Sequence, residues 1–156
     1  MAGAKFFVCE RTGDWALAWR RELATAGLAV SEVRSLENLN EALAAFPYSV
    51  AAVATQVATN EALVRWLWES HERWPHARFG LLAAPSQRIF EMAWREAGAM
   101  FVACGSLEIA AAVPLVAGHV RRAPQPEQTL AERIAGELPW PRFAASPNVP
   151  QPVAGN

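Results

Sequence analysis

The sequence predicts one α/β domain, a five-stranded parallel sheet covered by helices on both faces, followed by a proline-rich tail. Strand-like apolar runs alternate with amphipathic helical segments five times within about 120 residues, which is typical of a doubly wound sheet. One of these runs is apolar on both alternating faces, as a strand between two helical layers must be. The composition, 53% hydrophobic and 19% charged residues in a chain of 156, fits one domain with a sizeable core.

The central strand is predicted at residues 48–56, YSVAAVATQ, which Pro47 precedes and polar residues follow. Among doubly wound folds, the flavodoxin-like strand order 2-1-3-4-5 places the third strand in the middle of the sheet. No Asp or Glu occurs between Glu41 and Glu61. Chemistry that needs a carboxylate at the end of the central strand is therefore excluded.

The remaining elements follow from apolar periodicity and helix-capping residues. The predicted strands lie at residues 5–9, 28–33, 48–56, 78–84 and 100–104. The predicted helices lie at about residues 12–26, 35–46, 59–72, 86–97 and 106–122, with potential caps at Thr12 or Asp14, Ser35 or Asn38, Thr59 or Asn60, Ser86 and Ser106. Helical spacing predicts that Trp15, Trp19 and Trp68 are buried, whereas Trp66, Trp74 and Trp94 are harder to bury all together.

The composition changes beyond Ala123, since seven of the eleven prolines fall between Pro124 and Pro152. We therefore divide the chain into a domain at residues 1–122 and a tail at residues 123–156. Within the tail, residues 127–138 have the periodicity of one short amphipathic helix.

Charge and composition exclude several classes of function. A net charge of -1 and a pI near 6.3 disfavour nucleic-acid binding. No segment approaches the ~18 apolar residues of a membrane span, and the first apolar run is too short for a signal peptide, so a cytoplasmic location is expected. Two cysteines and three histidines without ligand spacing predict neither a disulfide framework nor a metal site.

Enzymatic activity is also disfavoured. The segment after the first strand, CERTGDW, contains only Gly13, so it lacks a glycine-rich phosphate loop. A Ser-His-Asp arrangement has no plausible aspartate, since Asp14 is the only one in the chain. We expect no catalytic residue and no cofactor.

Several segments together resemble a response-regulator receiver domain of the CheY-like type over about residues 4–122. They are residues 5–14, residues 79–84, the AGA sequence at residues 97–99 and the SLE sequence that opens the fifth helix. The resemblance implies a phosphorylation site built from an acidic pair, an Asp acceptor, a Thr or Ser and a Lys. Such a site needs oxygen ligands for Mg²⁺, a carboxylate nucleophile and a cation for the phosphoryl charge.

This sequence departs from that pattern at nearly every position. The acidic pair matches Glu10 and Arg11, and the acceptor, hydroxyl and lysine positions match Val53, Ala83 and Cys104. The only lysine, Lys5, begins the first strand at the opposite edge of the sheet. The resemblance therefore implies a degenerate pseudo-receiver that keeps the scaffold without the phosphorylation chemistry.

Two of these residues have alternative interpretations. Glu10 with Arg11 forms either a remnant anion site or a local ion pair on an exposed loop. Cys104 is either a redox sensor or an inert thiol, and no basic residue close in sequence would lower its pKa.

Two functions remain open. The first is a non-enzymatic, phosphorylation-independent regulatory or protein-protein interaction module. By resemblance its surface lies between the fourth and fifth helices, at Phe90 and Trp94, where receivers dimerise or dock partners; Trp140 and Phe143 of the tail extend it. The implied partner is a protein, and a second copy of the chain is one candidate. The rival interpretation is that residues 127–143 of the same chain cover this face.

The alternative is a small-ligand sensor. Open α/β sheets bind ligands in the crevice at the carboxyl ends of their strands, and Glu10, Gln56 and Pro85 mark that crevice here.

Overall fold

The computed structural model describes residues 3–124, which fold around one parallel sheet. Its strands are β1 (Phe6–Cys9), β2 (Val30–Val33), β3 (Val50–Ala54), β4 (Arg78–Leu82) and β5 (Phe101–Ala103). They pair in the order β2-β1-β3-β4-β5, all in parallel. The predicted flavodoxin-like fold is confirmed.

Five α-helices connect or follow the strands, and short 3-10 turns precede or extend several of them. The helices are α1 (Asp14–Leu23), α2 (Leu36–Ala45), α3 (Asn60–Arg73), α4 (Glu91–Glu96) and α5 (Ile109–Arg122). The 3-10 turns are Ala24–Ala26, Thr55–Val57, Pro85–Phe90 and Ser106–Glu108. The fourth helix is shorter than predicted because its first half is the 3-10 turn Pro85–Phe90.

Two apolar layers cover the sheet. On one face α1 and α5 pack through residues such as Trp19 and Val116. On the other face α2, α3 and α4 pack through residues such as Leu43, Leu67 and Trp94. Strand β3 lies between the layers, and all five of its residues are buried. Its lack of charged residues follows directly from this position, because an unpaired charge buried on either face would be costly.

Helix α3 shows where the helical-spacing prediction was wrong. Its buried face carries Leu63, Trp66 and Leu67, while Trp68 is 63% exposed. Trp66 and Trp94 are buried because each indole N–H reaches an amide oxygen, of Asn40 at 2.9 Å and of Asn60 at 2.5 Å. The polar end of each large ring is thereby satisfied inside the protein.

The predicted tail lies outside the described residues, except for Ala123 and Pro124. The amphipathic helix predicted at residues 127–138 is therefore untested. None of the helices between residues 3 and 124 is long and apolar enough to cross a membrane.

Two glycines allow close contacts that no other residue would. Gly98, in the AGA sequence, ends α4 with a φ of 106°, and its carbonyl oxygen lies 2.9 Å from Nε2 of His71. Gly80 of β4 pairs with Phe101 of β5, and the Phe101 ring occupies the space where a Gly80 Cβ would lie. The ring is buried, so it has little room to move.

We predict that Gly80→Ala lowers the free energy of unfolding by about 1–3 kcal/mol, because the new methyl group overpacks the sheet against Phe101. Urea denaturation monitored by circular dichroism measures this loss. The matched control is Gly118→Ala in α5, where the added Cβ meets nothing closer than Arg122 Nη2 at 3.6 Å. The control is expected to gain about 0.5–1 kcal/mol from helix propensity, so equal effects would contradict the packing explanation.

Candidate functional site at the carboxyl edge of the sheet

The predicted site residues do meet at one edge. Cys9 pairs with Val53, and the backbone N–H of Ala83 donates to the Ala103 carbonyl at 2.8 Å, so the ends of β1, β3, β4 and β5 are aligned. Glu10, Val53, Ala83 and Cys104 therefore share the carboxyl edge, as the receiver resemblance implies.

Glu10 is fully buried, and its carboxylate caps the first turn of α1. Oε1 accepts a hydrogen bond from the backbone N–H of Ala16 at 2.6 Å, and Oε2 accepts from the N–H of Trp15 at 3.1 Å. The Thr12 hydroxyl adds a contact of 3.3 Å to Oε2. The carboxylate thus satisfies helix N–H groups that would otherwise lack partners, beside the positive end of the helix dipole.

This arrangement corrects two predictions. Neither Thr12 nor Asp14 caps α1 with its own side chain; the residue before the helix, Gly13, has a φ of 97° and no side chain to offer. Glu10 and Arg11 do not form a local ion pair on an exposed loop either, because Glu10 is buried and points at the helix. Arg11 is exposed, with Nη2 3.4 Å from the Val57 carbonyl oxygen.

The residues that the resemblance matches to the acceptor and hydroxyl positions are apolar and closed to solvent. Val53 and Ala83 are both buried, and neither side chain has a nucleophilic or polar atom. The first hydrogen bond between polar side chains beyond these two residues joins Thr55 and Gln87. The Thr55 hydroxyl donates to Oε1 of Gln87 at 2.6 Å. That contact joins the turn after β3 to the 3-10 turn after β4.

Cys104 is the residue that the resemblance matches to the lysine position, and the side chain of Glu108 contacts its backbone. The Cys104 N–H donates to Glu108 Oε2 at 2.8 Å, and the Arg88 guanidinium contacts Oε1. These two donors hold the pKa of Glu108 below its usual value. The prediction that Ser106 caps the fifth helix was wrong, because neither the 3-10 turn Ser106–Glu108 nor α5 has a side-chain cap.

Both thiols are buried and protonated at neutral pH. Burial raises the pKa of Cys9 to about 12, and the carboxylates of Glu37 and Glu10 add to the rise. Burial also raises the pKa of Cys104, and the opposing effect of the nearby Arg88 guanidinium is smaller. Arg88 is far from Cys104 in the sequence but close to it in the fold, so sequence spacing does not reveal its effect. Cys104 therefore has the character of an inert thiol.

A cavity of about 360 Å³ opens at this edge between α1 and the ends of the strands. Gln56 and Pro85 line it, as predicted for the crevice, together with Trp15 of α1 and Gln87. Glu10 does not line it, because its carboxylate is committed to capping α1. Among residues 3–124, no group of three or more potential metal ligands comes together.

The predicted interaction surface is partly corrected. Phe90 is partly exposed, but Trp94 is buried and cannot contact a partner directly. Three apolar side chains that the sequence analysis missed are far more exposed: Ile89 at 82% and Met92 at 73% on either side of Phe90, and Leu107 at 94% on the turn before α5. Trp140 and Phe143 lie outside the described residues.

The comparisons with known proteins agree with this architecture. No protein-family model matches the sequence, and no curated protein matches it. Among solved structures, a putative response regulator from Chloroflexus aurantiacus J-10-fl is 16% identical with a TM-score of 0.60, over 74% of this chain and 98% of that one. A response regulator receiver domain protein from Clostridium thermocellum is 14% identical with a TM-score of 0.57, over 76% and 97%.

A third similar structure is the beryllofluoride-activated NtrC4 receiver domain dimer, which is 9% identical with a TM-score of 0.61, over 74% of this chain and 98% of that one. At these identities the likeness shows the fold alone. The chain has the CheY-like fold of response-regulator receiver domains.

We predict that Glu10→Gln lowers the free energy of unfolding by about 2 kcal/mol, because one amide oxygen cannot replace two charged acceptors at the helix N-terminus. Urea denaturation measures the loss, and Glu22→Gln on the exposed side of α1 is the matched control, expected within about 0.5 kcal/mol of the wild type. Stabilisation of the wild type by Mg²⁺ that Glu10→Gln abolishes would instead assign Glu10 to a metal site.

We also predict that neither thiol reacts readily with Ellman's reagent at about pH 8 in the native protein, whereas both react after denaturation.

A further prediction concerns alkaline pH. Because the pKa of Cys9 rises from 9.0 to about 12 on folding, the free energy of unfolding should be unaffected by this thiol below pH 9 and should fall as the pH rises from 9 toward 12. Cys9→Ala should flatten that alkaline loss. Rapid native labelling, or an unchanged pH slope in the variant, would contradict this account.

Proposed function

We propose that this protein is a non-enzymatic regulatory module that acts through protein-protein contacts without phosphorylation. The observation that carries the proposal is the commitment of Glu10, the one remaining acidic residue of the implied site, to capping α1. A carboxylate held by two backbone N–H groups inside the protein is poorly placed to bind Mg²⁺. The apolar side chains of Val53 and Ala83 at the acceptor and hydroxyl positions support the same conclusion.

The contact surface is proposed to lie on α4 and the turns that flank it. Ile89 and Met92 are one helical turn apart and line one shallow depression with Arg88, Glu91 and Arg95. Its charged groups are paired, since Oε2 of Glu91 lies 3.4 Å from Nη1 of Arg88 and Oε1 lies 2.9 Å from Nη2 of Arg95. An apolar centre with a paired polar rim is the usual anatomy of a protein interface.

Leu107 extends this surface onto the turn before α5. It adjoins Glu108, whose carboxylate contacts Arg88 across the gap between the two turns. We call Ile89, Met92 and Leu107 the α4 face. Trp94 supports it from the core, where its ring packs against Phe90 with centroids 5.8 Å apart.

A second copy of this chain is the partner proposed for the first test. The similar NtrC4 receiver domain structure is a dimer, and its match covers 74% of this chain. The tail residues Trp140 and Phe143 remain proposed as additional contacts. The proposed module would belong to signal transduction, as the receiver fold does in the similar response regulators.

We predict that full-length protein self-associates in a concentration-dependent way, measured by size-exclusion chromatography with light scattering. Met92→Asp should weaken association at least about tenfold, because a carboxylate would be buried without a partner at the interface centre. Leu17→Asp is the matched control, since Leu17 is half exposed on α1, in the other helical layer.

The same measurement with Mg²⁺ and acetyl phosphate tests independence from phosphorylation, with intact mass as a second readout. No phosphoryl adduct and no change in association are expected. Association that requires acetyl phosphate would overturn that part of the proposal. A monomer at every concentration, or equal weakening by both variants, would overturn the assignment of the α4 face.

A further inference from the structure

We propose that the cavity at the carboxyl edge binds a neutral, amphipathic organic molecule that presents a hydrogen-bond acceptor, such as a carbonyl oxygen, to Gln87. The cavity, about 360 Å³, is within the range of roughly 300–1,000 Å³ that small-molecule sites occupy. It also lies where open parallel sheets bind ligands, beyond the carboxyl ends of the strands.

Small side chains leave the space open. Ala83 and Ala84 follow β4, Gly105 follows β5, and Ala18 faces them from α1. Gly105 has a φ of 126°, a conformation that L residues with side chains rarely adopt. The cap formed by Glu10 fixes the start of α1 and therefore the position of the Ala18 wall.

The apolar walls of the cavity favour a ligand that contains an apolar ring. The half-buried indole of Trp15, the end of Leu82 and the ring of Pro85 border the cavity. Aromatic and aliphatic surfaces of this kind bind planar or ring-containing molecules through burial and stacking.

Gln87 supplies the polar specificity, and its orientation is set by its neighbours. Oε1 accepts from the backbone N–H of Ala84 at 3.1 Å and from the Thr55 hydroxyl at 2.6 Å. A backbone N–H only donates, so the atom that faces it must be the amide oxygen. Within residues 3–124 the amide nitrogen has no acceptor, which leaves two N–H donors for a ligand acceptor.

The charges of the lining residues disfavour an anionic ligand. The lining residues within the described part of the chain include no Lys, Arg or His, and Asp14 at the rim is negative. The nearest guanidinium after β4, that of Arg88, is engaged by Glu108 and Glu91. A phosphate or carboxylate in the cavity would therefore have no counter-charge among the residues that line it.

The test uses 6-propionyl-2-(dimethylamino)naphthalene, a neutral planar ketone whose emission reports on its surroundings, titrated into the full-length protein. Saturable binding on the order of 100 μM or tighter is expected. Ala18→Phe fills the cavity and should weaken binding at least about tenfold. Its matched control, Ala44→Phe at an exposed position of α2, should bind as the wild type does.

A second variant keeps the test valid if Ala18→Phe misfolds. Gln87→Glu retains oxygens for Ala84 and Thr55 but removes both N–H donors, so it should also lose about tenfold or more. Met92→Asp separates this proposal from that of the α4 face, and it should leave probe binding unchanged. A result in which Met92→Asp weakens binding and Ala18→Phe does not would place the probe on the α4 face and overturn the cavity proposal.

The class of ligand is tested with 8-anilinonaphthalene-1-sulfonate, an anionic probe of similar size. Weaker binding of this anion than of the ketone supports a neutral ligand, and tighter binding overturns it. Absence of saturable ketone binding to the wild type overturns the proposal as a whole.

Discussion

The contact on which this carboxyl edge depends is the one between the Glu10 carboxylate and the first turn of α1. Two backbone N–H groups converge on a buried carboxylate, which fixes where the helix begins and how it lies on the sheet. The position of α1 sets one wall of the cavity through Trp15 and Ala18. The same contact occupies both carboxylate oxygens of Glu10 with N–H donors, so one interaction fixes the start of α1 and one wall of the cavity.

The 3-10 turn Pro85–Phe90 connects the two surfaces to which we assign roles. Pro85 and Gln87 line the cavity, while Ile89 is exposed on the α4 face. Thr55 holds this turn through Gln87, and Glu108 holds it through Arg88. A molecule that engages Gln87 would therefore contact the segment that carries part of the interaction surface.

The fold was predictable because it depends on patterns that are local in sequence. An uninterrupted apolar run such as that of β3 needs cover on both sides, and alternating strands and helices leave few topologies that satisfy this need. The departures at Val53, Ala83 and Cys104 were visible for the same reason, since each follows or ends a strand. Helix details were less predictable: α4 is short because the preceding turn is 3-10, and Trp68 is exposed because α3 presents the face of Trp66 to the core.

By itself, the sequence determined the strand order, the central strand and the lack of a carboxylate at its end, because these follow from which residues tolerate burial. Only the tertiary structure decided the partners of polar groups that are distant in sequence. From the sequence alone, Glu10 and Arg11 could have formed an anion site or a local ion pair, and only the fold shows that Glu10 faces the start of α1. Likewise, Asn60 allows Trp94 to be buried, and Arg88 reaches Glu108 beside Cys104. Side-chain hydrogen bonds and ion pairs depend on distances of a few ångströms, which packing sets and sequence spacing does not.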